Sequence, residues 1–380
     1  MHIKRIAENE LYSLLNDPKV IIILGARQVG KTTLVKQILA GKECVFFNLD
    51  IEVDKQRIQS ISSLPPIDAL KSLGNPNYIV IDEAQRLTDT GRIVKGWFDA
   101  HIPVKVILLG SSSLNLLNQS AESLTGRNEK LFLPPLLFRE IAENQSWYST
   151  ALSDSLIIES FPTQIQELLI QSMVFGSYPE ASTTTHKTRY LLKDILQLGL
   201  VKTPDIIKRL LMLLAHQIGS EASISELANG LNISRQTVER YLALLEQTYV
   251  IFRLPAFSTN ARKEINKSHK IYFWDTGIRN ALLNDFSLNP MRSDIGTLWE
   301  NWVIAEFAKQ NLLQGQRQNL YFWRSRNSGE VDLVINKDEQ ISAFEIKWKK
   351  QIINKRSFTT KYGVAVQLID SSNPFIPTKL

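Results

Sequence analysis

The sequence predicts a multidomain α/β protein: a parallel-sheet nucleotide-binding domain, a helical middle, a winged helix and a smaller α/β domain at the C-terminus. Three observations predict it. Apolar runs alternate with helical patterns over residues 1–145, a glycine-rich loop joins the first run to a helix, and an acidic two-strand pattern sits near the chain's end. With 380 residues the chain exceeds one ordinary domain. Its 44% apolar and 22% charged residues suit a folded globular protein and argue against disorder. No 18-residue window is both apolar and uncharged, so no membrane partner is expected. The basic start, Met1 to Arg5, lacks the apolar stretch of a secretory signal. A lone Cys44 excludes an intramolecular disulfide framework and a cysteine zinc cluster, which fits a reducing, cytoplasmic location. The net charge of +6 permits nucleic acid as a partner without demanding it.

The buried-strand runs are Val20–Leu24, Cys44–Leu49, Tyr78–Ile81 and Val104–Gly110, each followed by loop chemistry or a helix. Between the first run and the helical pattern from Thr33 lies Gly25-Ala26-Arg27-Gln28-Val29-Gly30-Lys31-Thr32, a full G-x-x-x-x-G-K-[ST] match in the required strand–loop–helix context. Backbone N–H groups of such a loop and the helix N-terminus attract phosphates. Lys31 is expected on the β- and γ-phosphates and the Thr32 hydroxyl on Mg²⁺, with Thr33 completing the nucleotide set. Asp82-Glu83 follows the third run, at the strand edge where ligands gather in open α/β sheets. Asp82 is expected to hold Mg²⁺ through water and Glu83 to orient or deprotonate the attacking water. Ser111, after the fourth run, reads either as a γ-phosphate or water contact or as one of the serines capping a helix begun at Leu114. Arg127 reads as a transition-state guanidinium, in cis or from a neighbouring copy in a homo-oligomer, or as a surface arginine. The absence of an Asn-Lys-x-Asp guanine signature favours ATP over GTP.

The loop G-A-R-Q-V-G-K-T, the strand ends I-D-E-A-Q and G-S-S-S, and the stretch S-L-T-G-R resemble the AAA+-like ATPases of bacteria and archaea. Those proteins often carry a C-terminal domain of uncharacterised function. The Gly176-Ser177-Tyr178-Pro179-Glu180 stretch is similar to their middle region. The resemblance implies an AAA+-type fold and ATP hydrolysis, and says little about the substrate.

Residues 146–204 read as a helical lid or linker, 205–268 as a winged helix-turn-helix, and 269–380 as the last domain. A helix capped by Ser223 or Ser225 is expected to end at Gly230. Ser234 then caps a second helix that buries Val238, Tyr241, Leu242 and Leu245. Arg235, Gln236, Thr237 and Arg240 fall on its exposed start, where a DNA-reading helix presents side chains, and Val250–Leu254 reads as a wing strand. Residues 202–275 hold ten basic and seven acidic side chains, a modest excess that also suits a packing module.

In the last domain, 328–335 and 343–348, joined by a short turn around 336–339, read as a β-hairpin. Glu345 and Lys347, two apart, share a face near Asp332. An Asp followed by Glu-x-Lys resembles restriction-endonuclease-like nucleases, in which carboxylates hold Mg²⁺ against the scissile phosphate. The resemblance implies a further acid from a preceding helix, where Glu300 lies. The run Lys347, Lys349, Lys350, Lys355, Arg356, Lys361 reads as a phosphate track or as a solvated face.

Overall fold

A computed structural model of the chain describes residues 3–111, 124–180, 204–258, 269–325 and 329–375. Two compact units emerge, Lys4–Pro134 and Pro135–Leu380, the latter together with Met1–Ile3. No helix among the described residues is long and apolar enough to cross a membrane.

The first unit runs α1 (Ala7–Leu15), β1 (Val20–Leu24), α2 (Lys31–Ile38), β2 (Cys44–Asn48), α3 (Glu52–Ser62), α4 (Pro66–Ser72), β3 (Tyr78–Asp82), α5 (Thr90–Asp99), β4 (Lys105–Gly110) and β5 (Asn128–Phe132). All neighbouring strands are parallel, in the order β2-β3-β4-β1-β5. Strand β1, Val-Ile-Ile-Ile-Leu, lies between β4 and β5 and is buried along its whole length, because helices cover both faces of a parallel sheet. The four expected strands are present. A fifth, β5, escapes the periodicity because only Leu131 of its residues is buried; an edge strand needs no continuous apolar run. Register brings Leu24 level with Gly110 and Phe132, and Asn48 level with Asp82. The loops after β1, β3 and β4 therefore leave from one edge of the sheet. The helix expected from Leu114 lies outside the described residues.

In the second unit α6 (Phe138–Glu143), α7 (Asp154–Ser160) and α8 (Pro162–Phe175) precede α9 (Pro204–His216), α10 (Ile224–Leu231) and α11 (Arg235–Gln247). Ser223 Oγ accepts from Glu226 N at 3.3 Å, and Ser234 Oγ from Thr237 N at 3.1 Å. Gly230, expected to end the first of these helices, lies inside it. The left-handed cap is Asn232 at φ 55°, a residue whose short polar side chain tolerates that region. Val238, Tyr241, Leu242 and Leu245 are buried as expected. An antiparallel pair follows, β6 (Ile251–Pro255) with β7 (His269–Phe273), then α12 (Thr276–Leu283) and α13 (Ile295–Leu313). The last sheet is β8 (Asn319–Arg324), β9 (Glu330–Lys337), β10 (Gln340–Ile346) and, after α14 (Arg356–Tyr362), β11 (Val366–Ile369). Its order is β11-β10-β9-β8, with only the β10–β11 pair parallel. The expected hairpin is β9–β10, turned at Asp338 and Glu339, both at positive φ.

One apolar core runs through segments that the sequence reads as separate. It takes Phe138 from α6, Leu169 and Met173 from α8, Leu254 and Tyr272 from the β6–β7 pair, Trp299, Trp302 and Phe307 from α13, and Phe322, Leu333 and Phe344 from the last sheet. Buried polar groups fix its alignment. Asp275 Oδ2 accepts from Ser177 N at 2.6 Å and Ser177 Oγ at 2.9 Å. Lys309 Nζ donates to Leu136 O, to Ser177 Oγ and, at 2.6 Å, to Glu306 Oε1, whose other oxygen accepts from Phe138 N. Asp275 and Lys309 are each only 2% exposed. Burial raises the Asp275 carboxyl pKa, while Lys309 and the N–H donors of Ser177 and Ile278 pull it back down. Removing one partner of a buried ionic group typically costs ~3–5 kcal/mol. Lys309→Met, which keeps the volume, is expected to destabilise the second unit by about that much, read as a lowered urea midpoint.

Candidate functional site

The glycine-rich loop wraps between β1 and α2 as the motif requires. Gly25 admits no side chain, since a Cβ there would lie 2.1 Å from Leu133 O. Gly30 precedes the helix at φ 94°, a left-handed conformation that glycine adopts at no steric cost. Gln28 also has positive φ. Val29 is buried, and its carbonyl accepts from the buried guanidinium of Arg5 at 2.8 Å. Lys31 is buried too, with Nζ donating to Gly25 O at 3.0 Å and Ala26 O at 2.8 Å. Burial lowers its pKa to about 8; Glu83 and Asp82 pull it upward and Arg27 downward. A cation held by two neutral carbonyls, with helix N–H groups beside it, suits an anion such as a phosphate chain. Thr32 is half-buried and Thr33 exposed.

At the same edge, Thr32 Oγ1 donates to Asp82 Oδ2 at 2.6 Å. A hydroxyl and a carboxylate oxygen so placed are the hard donors that Mg²⁺ takes, so the residues present fit that ion. Glu83 has φ 51°, which turns the chain sharply after β3 into the short turn Ala84–Arg86. Glu83 Oε2 accepts from Ser111 Oγ at 3.0 Å and from Gln85 Nε2, which also donates to Ser111 Oγ at 3.1 Å. The ends of β1, β3 and β4 thus bring Lys31, Thr32, Asp82, Glu83 and Ser111 together. Gln85 joins them without having been expected. The only sequence signal for it was its place in the I-D-E-A-Q strand end.

Arg127 does not join this group within the chain. Its carbonyl accepts from Val20 N, at the amino end of β1, and its guanidinium binds Asp99 at 2.6 Å. Parallel pairing of β5 with β1 puts it at the edge of the sheet opposite the glycine-rich loop.

In the second unit, Arg235, Gln236 and Arg240 are exposed on α11, and Thr237 is half-buried with its hydroxyl 2.8 Å from Ser234 Oγ. The β6–β7 pair is anchored rather than free: Leu254 and Tyr272 are in the core, and Ala256 bridges to Phe322. On the last sheet Asp332, Glu345 and Lys347 converge, with Lys347 Nζ 3.2 Å from Asp332 Oδ2 and 2.7 Å from Glu345 Oε1. Asp332 Oδ2 also accepts from Ile346 N at 2.8 Å. Lys355 Nζ lies 2.7 Å from Glu345 Oε2. Glu300 is present on α13, facing Lys270 Nζ at 3.3 Å and the Tyr272 hydroxyl at 2.7 Å. Burial, reinforced by Asp332, raises the Glu300 pKa, against the pull of Lys270. Lysines therefore neutralise these acids. No group of three Asp, Glu, His or Cys side chains among the described residues is arranged to hold a metal ion. Asp332 and Glu345 thus meet at Lys347, as their spacing predicts, and each carboxylate is paired with lysine.

A parallel sheet with a strand–loop–helix phosphate cradle and an acidic edge two strands away defines an AAA-like P-loop ATPase fold. Residues 17–142 match the AAA domain, while 166–289 and 295–371 match two domains of unknown function, DUF8612 and DUF4143. The chain belongs to the same P-loop ATPase family as the uncharacterized protein Rv2008c of Mycobacterium tuberculosis, with which it is 31% identical over 353 residues, covering 90% of this chain and 74% of the relative. The uncharacterized protein MJ1544 of Methanocaldococcus jannaschii is 27% identical, with 86% of this chain and 78% of the relative covered. Among solved structures, the Walker-type ATPase of Pyrococcus abyssi is similar at a TM-score of 0.49 and 14% identity, with 74% of this chain and 96% of that chain covered.

The lowered Lys31 pKa has a direct consequence for binding. An anion binds the protonated amine and raises its pKa. Affinity for a polyphosphate should therefore be level below pH 8 and fall above it, toward about tenfold per pH unit. Titrating tripolyphosphate affinity from pH 7 to 9.5 checks this, with Lys31→Arg expected to flatten the profile.

Proposed function

We propose that the protein is an ATP-hydrolysing AAA+-like motor or switch that acts on nucleic acid. The observation that carries the ATPase part is the convergence of Lys31, Thr32, Asp82, Glu83 and Ser111 at one sheet edge. In this reading Lys31 and the loop N–H groups hold the phosphates, and Thr32 and Asp82 hold Mg²⁺, which supplies neutralisation of developing phosphate charge. Glu83 orients the attacking water and takes its proton. Lys31→Ala should abolish turnover, since a charge-assisted contact in a preorganised site is worth ~2.7–4 kcal/mol of transition-state stabilisation. Glu83→Gln should leave nucleotide affinity largely intact while turnover collapses. Equal loss of both in Glu83→Gln would make that residue structural, and near-normal turnover in a folded Lys31→Ala protein would end the ATPase reading.

The nucleic-acid part rests on α10 and α11, read with the β6–β7 pair as a winged helix. Arg235 and Arg240 are exposed there and make no ion pair among the described residues, as a phosphate-contacting face requires. Replacing both by alanine should weaken duplex DNA binding and lower its log–log salt slope by roughly 0.9 per lost contact. An unchanged slope would make the segment a packing module. The lysine pairing around Asp332 and Glu345 favours a second reading for the C-terminal domain, in which it has a restriction-endonuclease-like arrangement but binds DNA or a protein without cutting. Supercoiled plasmid in the same assay separates the readings: Mn²⁺-dependent nicking lost in Asp332→Asn would restore the nuclease.

A further inference from the structure

Resting on the ATPase reading, the geometry points to Gln85 as a water-positioning residue of hydrolysis, with its side-chain oxygen accepting one hydrogen of the attacking water while Glu83 accepts the other. The donors at this site are already committed. Gln85 Nε2 donates to Glu83 Oε2 and to Ser111 Oγ, and Ser111 Oγ donates to that same Glu83 oxygen. The three side chains close a ring of hydrogen bonds on one oxygen of the carboxylate. That ring also fixes the amide's orientation. Turned over, the amide would point its oxygen at the carboxylate and lose both bonds.

What the ring leaves over is a pair of acceptors. Gln85 Oε1 is buried and has no hydrogen-bond partner among the described residues. Leaving a buried acceptor unpaired costs free energy, so one that persists at a reactive edge calls for a donor supplied from outside the chain. Glu83 Oε1 is the second acceptor, since among the described residues both bonds to that carboxylate fall on Oε2. Both oxygens belong to groups joined directly by one hydrogen bond, and both stand at the edge that carries Lys31 and Thr32. The left-handed turn at Glu83 is what folds Gln85 back to this position instead of continuing along the strand direction.

Two acceptors match the two hydrogens of one water. Hydrolysis then balances without a further reagent. The water oxygen bonds to the γ-phosphorus, and the bond to the bridging oxygen breaks with its electron pair leaving on ADP. One proton passes to Glu83, and the other stays on the new phosphate after being held by Gln85 during attack. Two fixed acceptors define the direction of the oxygen lone pair, which a single carboxylate leaves free to rotate. A loss of alignment of that kind costs about 100-fold in rate.

The test compares wild type with Gln85→Leu, which keeps volume but removes donor and acceptor, and with Gln85→Ala in case the leucine variant does not fold. Three quantities are measured: steady-state kcat and KM for ATP, affinity for ADP, and affinity for ADP with aluminium fluoride, which mimics the transferring phosphoryl group with its water in place. The expected result is a kcat lowered by about 100-fold, KM and ADP affinity changed by less than about threefold, and a drop in ADP–aluminium fluoride affinity that follows kcat. A kcat within about threefold of wild type overturns the inference. So does parallel loss of ADP and ADP–aluminium fluoride affinity, which would make Gln85 a brace for the loop. A wild-type protein that binds ATP without hydrolysing it would instead remove the ATPase reading itself, and this inference with it.

Discussion

The second unit depends on a buried charge arrangement that cannot be split without large cost. Asp275, Glu306 and Lys309 lie in a region nearly closed to solvent, and their hydrogen bonds run to Leu136, Phe138 and Ser177. The groups and their partners come from the entry into the unit, from the turn after α8, from the N-cap of α12 and from the long helix α13. A buried carboxylate needs its donors in place, and an ammonium needs its acceptors. The four segments are therefore set in register by polar satisfaction as much as by apolar packing. Arg279 and Asn280 extend the same logic, bonding to Ala215 O and to Met173 O and Val174 O. This is why one core links helices and strands that three sequence patterns describe separately.

The first unit solves a different problem. Strand β1 is wholly apolar, so chemistry is displaced to the edge where the chain leaves the sheet. There the backbone makes turns that ordinary side chains resist: Gly25 against Leu133, Gly30 and Glu83 in left-handed conformations. Arg5 and Lys31 then tie the loop's carbonyls to buried cations from inside and outside the motif. Conformational cost and cationic burial are spent at the same few residues, which is where a phosphate would return both.

How much of this the sequence discloses follows from the range of each interaction. The phosphate loop's own turn and the bonds of Lys31 to Gly25 O and Ala26 O are local, so Gly25 to Thr32 were legible as a motif, whereas the contacts with Arg5 and Leu133 were not. Asp82, Glu83 and Ser111 were legible because strand ends in a parallel sheet share an edge, a rule that needs only strand identities. Gln85 was not, because its role depends on a turn at Glu83 that no residue type announces; glutamate rarely takes positive φ. Of the readings open for Arg127, placement at the site within the chain could not be weighed without β5. Its edge strand hides in a charged stretch, and without that register the arginine's side of the sheet is undefined. On the C-terminal sheet, the spacing of Asp332, Glu345 and Lys347 predicted their meeting, but not that Lys270 and Lys355 would come from elsewhere to neutralise the acids.

Lys270 carries the last step. It lies on β7, within the segment matched by one family model, and it pairs with Glu300 and Glu330, which belong to the segment matched by the next. Tyr272, two residues on and facing the same way, donates to Glu300 as well. Pulling the β6–β7 pair away would leave Glu300 and Glu330 without the lysine they share, and Glu300 beside Asp332, whose charge already opposes its own. Electrostatics thus resists any motion of the β6–β7 pair that is not shared by the last sheet. The boundary between those two sequence families is a boundary of description, and the physical unit crosses it.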